Sequence, residues 1–441
     1  MFGSDDRMEL TGVKTGGLKD VDQLRFGTAF AQVAASWDHR FSETARARVA
    51  VGQGIFDIRS RIGDFGQERD RFHITSVRAE ASRDLAPPLT IAAGADTRFV
   101  PAATLQLEYP AIPPPNQLPD PDPRKIRTTL GLRGSTEAGL WAEATWKPVE
   151  GLAVVPGVRG ERIRYADDVG GDMAWIDPRL TVRYTVRDGT TVKGAAGVYH
   201  QPPQPVYLTH EWGNPDLGGE GARHYMVGAE QRIFGPISLD LQLYYKDLFD
   251  LMLPTPGPER YTSAGTGKAY GAELLVRWNP GGRFFGWLSY SLSRSIRDQN
   301  VVGGTLMPNG DAFDQPHNLV ALGTLDLPEV WNGFSTGFRL RTTSGNPFRR
   351  AVGAVYDADA DRYRQVPEES ASSRVPAFFQ LDLRADKRWT YRTWMLSAYL
   401  EVQNVTNRKN PEGVAYNYDY SQQGWTTGLP LFPSFGIRAE Y

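Results

Sequence analysis

The side chains able to carry chemistry are few and scattered. His39, His73, His200, His210, His224 and His317 form neither an HExxH pair nor a close triplet of ligands, so their spacing spells no metal site. Cysteine is absent, which removes thiol catalysis, disulfides and Cys-ligated metals. Gly265-Thr266-Gly267-Lys268 suggests a phosphate loop, but Thr262 stands where that loop needs glycine and Ala269 where it needs Ser or Thr. No catalytic residue and no cofactor follow from this inventory. What remains is recognition. Aromatic and arginine side chains gather in three segments: Tyr207, His210 and Trp212; Arg349, Arg350, Tyr356 and Tyr363; Tyr416, Tyr418, Tyr420 and Trp425. Such residues stack on and pair with an anionic or planar ligand. The same residue types also serve as ordinary loop packing.

The elements that must hold these segments are strands. Phe435, Ile437, Ala439 and Tyr441 alternate with Ser434, Gly436, Arg438 and Glu440, which puts an apolar and a polar face on one strand. The same period-2 pattern recurs where Leu396, Ala398, Leu400 and Val402 oppose Ser397, Tyr399, Glu401 and Gln403, and where Leu239, Leu241, Leu243 and Tyr245 oppose Ser238, Asp240, Gln242 and Lys246. Long amphipathic helices are missing. Eight tight turns punctuate the strands, at 39–44, 85–88, 148–151, 188–190, 235–236, 280–282, 328–333 and 389–392. Between them run long polar connections at 101–123, 201–221, 251–267, 297–313, 342–376 and 406–430.

Short turns on one edge and long loops on the other are the sequence form of a transmembrane β-barrel. The 441 residues carry 49 Lys+Arg against 51 Asp+Glu, so the basic footprint of a nucleic-acid partner is lacking. No apolar run reaches the roughly 18 residues of a membrane helix, a test that barrel strands escape. A soluble β-fold is the competing reading. Against it, the strands read at about 10 to 15 residues, longer than the roughly 5 to 6 usual in soluble sheets. Trp37, Trp146, Trp278, Trp331, Trp389 and Trp394 also cluster at the tight turns, where an interfacial aromatic girdle would stand.

Strands are expected from 24–38 to 431–441, about 17 in all. With short turns on the periplasmic side, the first of these descends, and a closed barrel then needs an ascending strand before it. The segment Met1–Gln23 reads as too polar and Gly-rich to supply a whole strand, so Met1–Asp5 is expected to be the stub of one. MFGSDDRMEL also lacks the basic and apolar regions of an export signal.

An ordered set of short motifs then resembles TonB-dependent outer-membrane receptors. It comprises Asn214-Pro215-Asp216-Leu217 with Glu220 and Tyr225-Met226-Val227-Gly228, then Tyr244-Tyr245-Lys246-Asp247 and Gly267-Lys268-Ala269-Tyr270-Gly271-Ala272-Glu273. Asp314-Gln315-Pro316-His317-Asn318, Val402-Gln403-Asn404-Val405-Thr406-Asn407 and the aromatic-ended run Pro433–Tyr441 complete it. The resemblance implies an all-β, antiparallel transmembrane β-barrel in the bacterial outer membrane, with about 17 to 18 strands present of about 22. It implies TonB-dependent uptake of a scarce nutrient such as a ferric siderophore or cobalamin, and no enzymatic activity. Residues 1–441 are then the barrel domain, N-terminally incomplete, without plug, TonB box or signal peptide and unable to transport alone. The implied partners are outer-membrane lipid, a small-molecule ligand such as a metal chelate, and the TonB complex through the missing N-terminal region. The outer-membrane assembly machinery would read Phe435, Ile437 and Tyr441. A passive porin-like channel is the alternative.

Overall fold

The computed structural model describes residues 2–13, 21–62, 66–110, 125–165, 170–210, 213–255, 259–278, 281–297, 314–358, 362–368 and 373–441. Its strands begin with β1 (Phe2–Val13), β2 (Val21–Arg40), β3 (Ala45–Ile62), β4 (Gly66–Ala86), β5 (Leu89–Pro110) and β6 (Lys125–Trp146). β7 (Leu152–Tyr165), β8 (Asp172–Arg187), β9 (Thr190–Gln201), β10 (Glu220–Phe234), β11 (Ile237–Pro254) and β12 (Tyr261–Trp278) follow. Next come β13 (Phe284–Arg297), β14 (His317–Asp326) and β15 (Phe334–Thr343), then the short β16 (Pro347–Phe348), β17 (Ala351–Asp357), β18 (Arg362–Pro367) and β19 (Ser373–Arg374). β20 (Phe378–Thr390), β21 (Met395–Gln403), β22 (Pro411–Tyr416), β23 (Gln423–Thr427) and β24 (Phe432–Glu440) complete the chain.

Eighteen strands make one sheet, in which each pairs antiparallel with its neighbours in sequence: β1 to β15, then β20, β21 and β24. The alternation read from the sequence is the cause. Along β10, Tyr225 and Val227 stand 50% and 59% exposed on one face while His224 and Met226 occupy the other. Pairing carries the apolar face from strand to strand, as Tyr225 opposes Tyr245 and Tyr245 opposes Tyr270. The turns fall where the sequence puts them. Gly189, at φ 78°, lets the chain reverse between Arg187 and Thr190, and Gly235, at φ 49°, does the same between Phe234 and Ile237.

A wall one strand thick has no second sheet to bury its apolar face, and the burial pattern follows. Only Ile163, Tyr165, Met173, Leu208, Leu217, Leu251 and Val375 are buried hydrophobics among the described residues, whereas Leu140, Ile176, Phe435 and Ile437 are 67%, 70%, 80% and 71% exposed. A soluble sandwich cannot present such a surface. Of the expected girdle, Trp37, Trp146, Trp278, Trp331 and Trp394 are exposed beside the short turns, and Trp389 is half-buried against Trp331 at 6.0 Å. No helix of the described residues is long and apolar enough to cross a membrane.

Three expectations change. The segment 1–23 does contain a strand: β1 pairs with β2 from Phe2 opposite Gln32 to Val13 opposite Val21. Its polarity misled because its side chains pair locally, Arg7 with Asp5 at 2.7 Å and Arg25 with Glu9 at 3.4 Å. The connection 251–267 is mostly strand, since β11 and β12 run on to Pro254 and from Tyr261; likewise β5 continues to Pro110. Finally, the connections 342–376 and 406–430 hold hairpins of their own, β17–β18 and β22–β23.

Candidate functional site

The face opposite the apolar one is lined with ion pairs that link strands one or two places apart. Arg159 on β7 donates to Asp96 on β5 at 2.7 and 2.9 Å and to Glu161 at 2.8 Å. Farther round, Lys193 on β9 reaches Glu230 on β10 at 3.1 Å and Asp240 on β11 at 2.8 Å, while Arg183 donates to Glu230 at 2.9 Å. Arg384 bridges Asp386 at 2.7 Å and Glu401 at 3.3 Å. Paired charges of this kind make a wetted wall; they add little stability individually. No group of three or more His, Asp or Glu among the described residues could hold a metal ion.

At the long-loop end of the wall, the motif residues clamp the loops. Asn214 donates from Nδ2 to the Tyr261 carbonyl at 2.8 Å, its backbone N–H reaches the Tyr207 carbonyl at 2.8 Å, and its Oδ1 accepts from Asp216 N–H at 2.9 Å. Leu217 then buries into a cluster with Ile163, Tyr165, Met173 and Leu208, and Glu220 accepts from Met252 N–H at 2.9 Å. Asp314, 2% exposed, accepts from Ser295 N–H at 3.0 Å and from Arg294 and Arg374 at 2.9 and 2.5 Å, tying β13 to the segment before β20. Asn404, at φ 50°, donates to the Arg408 and Leu429 carbonyls at 2.9 and 3.1 Å while its backbone N–H bonds Asp382 at 2.8 Å. Asparagine tolerates this left-handed backbone better than most residues. Asn410 completes the clamp by exchanging two bonds with the backbone of Phe379, at 2.9 and 2.8 Å. The sequence displays all of these but Asn410 within its motifs; the clamping itself depends on which carbonyls the fold brings within reach.

The predicted recognition residues divide. Tyr207 packs edge-on against Tyr261 at 5.1 Å, beside the apolar cluster. His210 is exposed, and Trp212 lies outside the described residues. The other two segments are brought together, because β15, β20, β21 and β24 are consecutive in the sheet and their loops rise side by side. Tyr363 contacts Tyr356 at 5.2 Å within its hairpin and Tyr418 at 5.4 Å across the gap. Tyr416 meets Tyr420 at 5.6 Å and accepts from Ala351 N–H at 3.0 Å, and Trp425 stands edge-on to Phe348 at 5.9 Å. Arg349 is half-buried and Arg350 exposed at the base of the first hairpin, where the Arg350 and Glu368 backbones and the Glu368 carboxylate interlock at 2.9 and 3.0 Å. At the tip of the second, Ser421 donates from its hydroxyl at 2.6 Å and its backbone at 3.1 Å to Asp419, holding that carboxyl below its ordinary pKa. Phe435, Ile437 and Tyr441 point away from all of this, on the apolar face.

The arrangement is thus a charged wall topped by clamped loops with an aromatic arch over one sector. Known proteins share the fold. Residues 5–405 match the family described as TonB dependent receptor-like, beta-barrel. Among solved structures, the ferric yersiniabactin uptake receptor FyuA from Yersinia pestis matches with a TM-score of 0.66 at 14% identity, covering 99% of this chain and 66% of its own. The ferric citrate transporter FecA matches at 0.64 and 15% identity, covering 95% and 62%. The siderophore receptor PiuA from Acinetobacter baumannii matches at 0.63 and 11%, covering 97% and 66%. At such identities the likeness is one of fold, and the chain spans less than two thirds of each of these structures. Among curated protein sequences no match is found. The family is one of receptors and transporters of the bacterial outer membrane, and with its profile matched over most of the sequence, this chain belongs to the TonB-dependent receptor β-barrels.

Proposed function

We propose that the chain forms the barrel of an outer-membrane receptor for a scarce nutrient carried as a small metal chelate, such as a ferric siderophore or cobalamin. The observation that supports this most is the arch of Tyr356, Tyr363, Tyr418 and Trp425 over the sector where Arg384 and Glu401 pair on the charged wall. Exposed aromatic faces offer stacking to a planar chelate, and Arg350 at the foot of the arch offers charge to an anionic one. Uptake in this reading is coupled to the TonB complex. The apolar face meets outer-membrane lipid. Phe435, Ile437 and Tyr441 on the last strand are the signal for the assembly machinery.

Growth of a host lacking its own receptors, on ferric chelates or cobalamin as the limiting nutrient, tests the coupled reading when the barrel is expressed within its natural reading frame. Rescue that disappears without TonB supports it. Rescue that persists without TonB, together with steady conductance of the purified chain in planar bilayers, would establish a passive channel instead.

A further inference from the structure

Above the apolar band, the outward face of β1 to β4 changes character. Three rows of paired residues lie there: Arg7, Gly27, Arg59 and Arg69; Asp5, Ala29, Asp57 and Arg71; Glu9, Arg25, Arg61 and Gln67. Strand alternation puts them on the same face as Trp37, Val51 and Ile55. Six guanidinium groups there face three carboxylates. The height is informative. From Ala47 to Ile55 the outward face of β3 holds Val49, Val51 and Gln53 among apolar residues, about 27 Å along the strand, which at barrel tilt rises about 20 Å, most of the roughly 25 Å of a membrane band. Asp57 comes next, where lipid headgroups begin.

Asp57 organises the patch. Its carboxylate accepts from Arg59 at 2.9 and 2.7 Å, from Arg69 at 2.9 and 2.5 Å and from Arg71 at 3.1 Å. One carboxylate cannot neutralise three guanidiniums, and those side chains remain 51%, 36% and 51% exposed. They are therefore fixed in place and short of anionic partners, the condition for bidentate phosphate binding. A second observation points to a lipid. Lower on the same face, small side chains open a furrow of about 550 Å³ between Val77 and Leu140, floored by Ala79, Ala95, Ala138 and Gly160 and lined also by Arg162 and by Asp96, Glu161 and Trp175 of the opposite face. It starts six residues below Arg71 on β4, about 20 Å along the strand, within the depth that acyl chains occupy.

We infer that this face binds a phosphorylated lipid of the outer leaflet, phosphate on the Arg59, Arg69 and Arg71 cluster and an acyl chain in the alanine furrow. The inference rests on the membrane-barrel reading and is independent of which nutrient is taken up.

The test is binding of bis-phosphorylated lipid A, dephosphorylated lipid A and inorganic phosphate to the full chain in detergent, by native mass spectrometry and titration. Bis-phosphorylated lipid A is expected to bind at least tenfold more tightly than the dephosphorylated form, with no saturable binding of inorganic phosphate. R59Q/R69Q/R71Q should lose at least tenfold in affinity for it, and R71Q, which leaves Asp57 two partners, about threefold. R46Q/R78Q, on the polar face, should bind as the unsubstituted chain does. Equal binding of both lipid A forms, equal loss in the polar-face control, or phosphate alone saturating the site overturns the inference. A chain that stays monodisperse without detergent overturns the barrel reading as well, so the two failures are told apart.

Discussion

Asn404 joins a strained backbone to four side-chain hydrogen bonds, and few other side chains could do both. Alanine keeps the φ of 50° only at a cost and leaves the Leu429 and Arg408 carbonyls without their donor, so N404A should destabilise the base of the loop by about 2 kcal/mol. Limited proteolysis of the purified chain measures this, with faster cutting between 404 and 431 expected and an unchanged rate counting against the clamp. Asp419 gives a pH-dependent counterpart at the loop tip. Ser421 lowers its pKa in the folded hairpin, so the turn gains stability that is present above the unfolded value of about 3.9 and is lost as pH falls below it. Cutting at 417–422 by an acid-active protease should therefore rise below about pH 4 in the native chain and be independent of pH in D419N.

At the scale of elements, the two loop hairpins behave as one body only if their contacts hold. Y416F removes the oxygen that accepts from Ala351 N–H, and Y418A removes the ring beside Tyr363; each should weaken ligand binding several-fold and loosen both hairpins together in hydrogen exchange. Loosening confined to the substituted hairpin would show that the arch is not a unit. The sequence made the tight turns and the strand faces legible, because both depend on local chemistry: Asp188-Gly189 reverses the chain wherever it stands, and alternation fixes a face without knowledge of partners. It hid β1 and the upper ends of β5, β11 and β12, because a strand above the membrane needs no apolar face and reads like a loop. It likewise displays Tyr356, Tyr363 and Tyr418 but not their meeting, which the order of β15, β20, β21 and β24 decides. Tyr207 instead meets Tyr261 beside the apolar cluster.

For the molecule as a whole, the absence of cysteine is a convenience, since single-Cys variants need no background removed. I176C, on the face that is 70% exposed at that position, should react only with a lipid-soluble maleimide in reconstituted vesicles, and T181C, on the opposite face of β8, with a water-soluble one. Reaction of I176C with the aqueous reagent would place that face in water and defeat the barrel reading.

The asparagine clamps also set how the β21–β24 loop can swing. Asn404 holds Leu429, Asn407 accepts from Leu431 N–H at 3.0 Å, and the Asn410 carbonyl accepts from Gly428 N–H at 2.9 Å, so both stems are stapled from 404 to 410 and from 428 to 431. Beyond these staples, Pro411 to Thr427 is the paired β22–β23 hairpin, so the connection continues as a stiff element from its base. Mechanically the loop is a lever with its fulcrum at Asn410, and the fulcrum is bolted to β20 through Phe379. A load on the Tyr418 tip is passed to the barrel wall at that strand, beside Asp382 and its partner Arg339, rather than dissipated along a slack tether.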